Sequence, residues 1–98
     1  MIARLWRGWT SADFADEVAG HLADVALARY ADSPGNHSVH VFRRPAGGGV
    51  ELMTITVWDS EAAVPKTVSE AHPLLAASQT LPACWEIVAP PTRAVRAA

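Results

Sequence analysis

Sulfur is nearly missing: a single cysteine, Cys84, stands among 98 residues. One thiol cannot close an intramolecular disulfide, so the fold must rest on its core. In an apolar segment such a cysteine reads as a small buried filler. No apolar run approaches the roughly 20 residues needed to cross a bilayer. The opening MIARLWRGWT carries arginines inside its apolar run and no small-residue cleavage site, so it reads as part of the fold and not as a signal peptide. Charge of one sign is lacking too, since eight basic and ten acidic side chains leave a formal net charge of -2. A nucleic-acid platform needs a basic stripe to displace counterions, and a membrane contact needs a polybasic cluster. The balance therefore points to a cytoplasmic, soluble protein with no nucleic-acid or membrane partner. No pair among the histidines, the cysteine and the carboxylates has metal-site spacing, and Ser33, Ser38 and Ser60 have no nucleophile-elbow context. The glycine run at residues 45–49 leads into a strand and not a helix, which removes the phosphate-cradle reading. No metal and no cofactor is expected.

What is present is apolar material: half of the residues are hydrophobic, enough for one compact domain over residues 1–98. Residues 2–9 alternate with period two and form a strand. Thr10 or Ser11 offers a helix N-cap, acidic residues follow in the first turn, and Phe14, Val18, Leu22, Val25 and Arg29 recur at helical spacing to about Tyr30. Gly20 costs that helix about 1 kcal/mol relative to alanine. ADSPGN at 31–36 is a turn, residues 37–44 alternate again, and PAGGG at 45–49 is a hairpin connection into the clearest strand, 50–58. Asp59 or Ser60 caps a second helix over 61–69 that Pro65 shortens or kinks. A helical piece follows at 74–79, ended by Pro82, and a last strand at 84–89, broken by Pro90 and Pro91 before the tail 92–98. Strand, helix, strand, strand, broken helix, strand is the order of a ferredoxin-like α+β sandwich, an antiparallel sheet with helices on one face. Its other face stays partly apolar, and a second copy of the chain is the simplest cover: a homodimer is expected.

Uninterrupted alternation gives the sheet one aliphatic face (Ala3, Leu5, Val39, Val41, Met53, Ile55, Val57, Val88) and one mixed face (Arg4, Trp6, His40, Phe42, Thr54, Thr56, Trp58, Trp85). A single bulge would reverse one strand. The mixed face suits a planar, partly polar ligand, with apolar walls for affinity and a few donors for orientation.

The segments MIARLWRGWT, PGN, TVWDSEAA and SEAHPLLAAS together resemble the antibiotic biosynthesis monooxygenase family, in that family's order and over nearly the whole chain. The resemblance implies a dimeric α+β barrel. It matches Trp58 to the aromatic that ends the third strand and His72 to the histidine that opens the last helical segment. The superfamily holds cofactor-independent quinone-forming monooxygenases, haem-degrading monooxygenases and members without assigned chemistry. The haem-degrading branch is expected to combine an asparagine on the first strand, a tryptophan on the helix after the third strand and a histidine on the final helix. This chain has neither the asparagine nor the tryptophan there, so haem degradation is not implied. The quinone-forming branch surrounds a polycyclic phenol with Asn, Trp and Arg side chains, and Asn36, the tryptophans and the strand arginines are of those types.

A cofactor-free oxygenase acting on a small aromatic or polyketide-type molecule needs little machinery, because a deprotonated phenol can itself reduce dioxygen. His40 carries an imidazole, the side-chain type suited to take the proton. Arg4, always cationic, can stabilise the anion. Trp6, Phe42, Trp58, His72 and Trp85 complete the expected substrate site. The alternatives are a non-catalytic ligand-binding or interaction domain on the same fold, and a cyclase- or isomerase-like enzyme in the same pocket.

Overall fold

The computed structural model describes residues 1–81 and 84–88. Within them lie β1 (Ile2–Ser11), α1 (Ala15–His21), α2 (Leu27–Ala31), β2 (Asn36–Ala46), β3 (Gly49–Trp58), β4 (Ala77–Thr80) and β5 (Trp85–Glu86). A 3-10 turn, Ala12–Phe14, leads into α1, and a π turn, Leu22–Ala26, joins α1 to α2, so one helical rod spans residues 12–31. All strand pairs are antiparallel, in the order β2-β3-β1-β4, with β5 also on β1. β4 runs beside Trp6–Trp9 and β5 beside Ile2–Ala3. The two short strands thus share one edge of β1. The result is a compact α+β domain compatible with the ferredoxin-like expectation.

The second helix is the main departure. Residues 61–69 hold only a 3-10 turn, Glu61–Ala63, and Val64 is already extended at φ -69° and ψ 124°. Pro65 explains this, because its ring clashes with a helical conformation of the residue before it. Residues 64–76 form no regular element and lie as a strap across the helix side of the sheet. The helical piece expected at 74–79 is instead a turn followed by β4. A helix that short is marginal by itself, and the free edge of β1 offers backbone partners at once. Within the described residues the last strand is only the two-residue β5; its expected end at residue 89, the 90–91 break, the tail 92–98 and the stop at Pro82 lie outside them. Neither cap candidate caps: Ser11 makes no side-chain cap bond, and the Thr10 hydroxyl donates instead to the Leu74 carbonyl at 2.9 Å, tying the strap to β1.

The helix buries Ala15, Val18, Leu22, Ala26, Leu27 and Tyr30, while Phe14 and Val25 are exposed. The wide π turn carries the buried stripe onto residues 26, 27 and 30 in place of 25 and 29. The stripe packs on Trp6, Leu52 and Trp58, with Leu74, Leu75, Ala63 and Val64 closing the core from the strap. The Trp6 indole lies over Gly8, where a Cβ would collide with the ring.

Gly47 and Gly48 both have positive φ, 53° and 83°, and form a two-residue turn that sets Ala46 opposite Gly49. Even-numbered residues of β3 therefore face odd-numbered residues of β2: Val41 pairs with Thr54 and Val39 with Thr56. β1 pairs with β3 in the other parity, Trp6 with Thr54 and Arg4 with Thr56. Val39 and Val41 consequently lie on the helix face, and His40 and Phe42 on the open face with Met53 and Ile55. This reverses β2 relative to the face assignment expected from composition. The turn length is the cause, because directly paired residues share a face.

Candidate functional site

The sheet brings the expected site residues together in two groups. Arg4, Trp6 and Trp58 face the helix, with Thr54 and Thr56. His40 and Phe42 lie on the open face, their rings stacked with centroids 6.2 Å apart. Trp85 joins them there, because it pairs with Ala3, and it is 58 % exposed. Arg4 and His40 therefore stand on opposite sides of the sheet and cannot act on one substrate atom within a single chain. His72 sits on the strap. Its Nδ1 accepts the Leu74 N–H at 3.1 Å, and its ring meets His21 edge-on at 4.7 Å. His21 Nε2 is buried and has no hydrogen-bond partner among the described residues.

On the helix face Arg4 is committed. Its Nη1 donates to Glu70 Oε2 at 2.9 Å, and its Nη2 lies 3.4 Å from Oε1. The Thr54 hydroxyl donates to Oε2 at 2.6 Å and the Tyr30 hydroxyl to Oε1 at 2.5 Å. Tyr30 in turn accepts the Ser69 N–H at 2.8 Å. Glu70 is fully buried and Arg4 is 6 % exposed. Burial raises the Tyr30 pKa above its ordinary 10.0, and the hydrogen bond to the Glu70 carboxylate raises it further. Trp58 stands edge-on to Tyr30 at 5.9 Å and donates its indole N–H to Thr56 at 2.8 Å.

The open face carries a groove of about 420 Å³, lined by Leu5, Phe42, Met53 and Leu81 and by the charged trio Arg7, Arg44 and Glu51, with Arg43 at its rim. Arg44 stands directly across from Glu51 and donates to it through Nε at 2.6 Å. Arg7 donates to the other carboxylate oxygen, through Nε at 3.0 Å and also through Nη2. Those hydrogen bonds, Arg7 first, hold the Glu51 pKa below its ordinary 4.5. The carboxylate is covered by the arginines and not by the protein interior. Two guanidiniums against one carboxylate leave the groove with an excess of positive charge. Arg43 is engaged elsewhere, donating to Asp16 at 2.8 Å.

Glu70, Tyr30 and the Arg7–Glu51–Arg44 trio escape a reading by composition. The trio has a signal: once the turn is placed at Gly47–Gly48, register alone sets Arg44 opposite Glu51. Glu70 has none, since its contacts depend on the path of an irregular strap.

Cys84 is half-buried, and desolvation, aided by the nearby Glu61 charge, raises its thiol pKa, away from nucleophilic use. Among the described residues no cluster of three or more His, Cys, Asp or Glu side chains could hold a metal, and no helix is long and apolar enough to cross a membrane. No protein-family model matches the chain, and no curated protein matches it in sequence.

Proposed function

We propose that the protein binds a planar aromatic anion, a phenolate or an aromatic carboxylate, in the open-face groove, and that a second copy of the chain covers this face. The groove itself carries the proposal: about 420 Å³ of apolar floor under two guanidiniums that share one carboxylate. That volume suits a small ligand. Apolar surface supplies affinity, and the surplus cation selects the ionised form. The second copy is supported by the large apolar side chains left on the face, with Phe42 46 % and Trp85 58 % exposed.

One observation favours adding chemistry. His40, the only titratable side chain of the expected catalytic pair on this face, stacks on Phe42, which lines the groove. A phenol lying there can pass its proton to His40, and the phenolate then reduces dioxygen without a cofactor, as the resemblance to the antibiotic biosynthesis monooxygenases implies. In this reading the anion is stabilised by Arg7 and Arg44. Arg4 is locked to Glu70 and plays no part.

Calorimetric titration with a panel of polycyclic phenols and aromatic acids tests the first reading. Binding is expected, weakened about tenfold in Arg44→Ala, the usual scale for one partly solvated charged contact. Absence of binding across the panel overturns it. An oxygen electrode separates the two readings: uptake that His40→Ala abolishes establishes the oxygenase, whereas binding without uptake leaves a ligand-binding domain.

A further inference from the structure

We propose that Arg4, Tyr30 and Thr54 form a carboxylate-binding site on the helix face of the sheet, and that Glu70 is its built-in occupant, displaced with the strap when a small organic acid binds. The site is distinct from the groove and does not depend on it.

The donors converge on a single shape. Oε2 receives Arg4 Nη1 at 2.9 Å and Thr54 at 2.6 Å, and Oε1 receives Tyr30 at 2.5 Å and, at longer range, Arg4 Nη2 at 3.4 Å. Each oxygen thus has two donors, the capacity of its lone pairs. A planar two-oxygen anion uses every one. A phosphate would bring a third oxygen for which the cluster holds no donor.

The donors and the acceptor differ in how they are held. Arg4 and Thr54 sit on the two central strands, and Tyr30 on the helix. Glu70 arrives on the irregular strap, which between residues 65 and 71 is tied to the rest of the chain by its own carboxylate and by the Ser69 N–H on Tyr30. Three fixed donors and one loosely borne acceptor make a receptor with a tethered ligand. A tethered carboxylate acts at a high effective concentration, so a competing acid needs extra contacts from its body, which would take the place of the strap. Tyr30 and Trp58 supply an aromatic wall there.

The strap also carries its own reporter. Lys66, exposed, is the only lysine in the chain. A lysine-specific protease therefore reads release of the strap at a single bond.

The test uses the full chain. Glu70→Ala removes the side chain beyond Cβ, whose carbons and oxygens are those of acetate. Acetate or benzoate, compared with chloride at equal ionic strength, is expected to raise its melting temperature saturably, on the order of 10 °C at a hundredfold excess over the dissociation constant. Tyr30→Phe in the same background is expected to reduce that rise. Should Glu70→Ala not fold in chloride, recovery of its circular dichroism by acetate reads the same event, and failure to recover overturns the proposal, as does a folded variant indifferent to carboxylates. Glu70→Gln keeps the shape and loses the charge, and is expected to be cut at Lys66 faster than the wild type. Benzoate is expected to speed the same cut in the wild type. Cleavage unchanged by benzoate and by Glu70→Gln would show that Glu70 is not displaceable, and would sink the idea.

Discussion

The two faces of the sheet are built on the same three long strands and handle charge in opposite ways. On the helix face Arg4 and Glu70 meet away from water, and hydroxyl groups satisfy what the pair leaves over. On the open face Glu51 is shared by two arginines whose own side chains reach solvent, Arg44 being 71 % exposed. Burial strengthens an ion pair and makes breaking it costly, because the survivor cannot rehydrate. Glu51 is itself covered, but arginines that reach solvent leave their pairs cheaper to break and their positive charge available to a ligand. The first face is where stability concentrates, and an outside acid enters it only in exchange for Glu70; the second is where an outside molecule meets interaction that no internal group must give up.

Substitutions can break or sharpen that contrast. Arg4→Ala strands the Glu70 carboxylate and is expected to lose about 3–5 kcal/mol in urea unfolding, against at most about 1 kcal/mol for Arg44→Ala. Equal losses would erase the distinction. Leu52 and Met53 are neighbours on β3 that point to opposite faces. Leu52→Ala is expected to cost about 2–5 kcal/mol, and Met53→Ala well under half of that in the isolated chain. Gly8→Ala forces a methyl into the Trp6 ring, with an expected loss of about 1–3 kcal/mol by the same measurement. Phe42→Asp should change single-chain stability by no more than about 0.5 kcal/mol. Light scattering should nonetheless find the wild type dimeric at micromolar concentration and this variant monomeric. A monomeric wild type ends the homodimer proposal.

The smallest effect expected is pH dependence at Glu51. Its pKa is lower folded than unfolded, so its contribution is complete above the ordinary 4.5 and disappears as pH falls through the lowered value. Wild type and Glu51→Gln should therefore differ slightly at pH 7 and converge in acid. Curves that stay parallel down the acid limb would show that the arginines do not bias this carboxylate.

Local signals carried much of the architecture. Period-two alternation located β1, β2 and β3, the glycine pair located the hairpin, and helical spacing located the rod. They failed where a short-range preference met a longer-range partner. SEAHPLLAAS looks helical by composition, yet Pro73 divides it and the open edge of β1 claims its end as β4. The faces were misassigned for a comparable reason. Alternation fixes which residues of β2 stand together, but only the number of residues in the Gly47–Gly48 turn fixes which side they take. Of the expected site, Phe42 lines the groove with His40 stacked on it, while Arg4, Trp6 and Trp58 belong to the core. Glu70 was out of reach because no periodicity governs a strap.

β2 has a consequence for how copies of the chain can meet. Among the described residues it forms one border of the sheet, where unpaired backbone groups invite another strand, and it carries Arg43, Arg44 and Pro45 in succession. Charge repels a like neighbour, and proline offers no amide to a ladder. Beyond β1 the opposite border, among the described residues, is made of β4 and β5, four and two residues long. Neither border is a good template for growth in the plane, so the second copy proposed above has the open face, and not a strand edge, to meet.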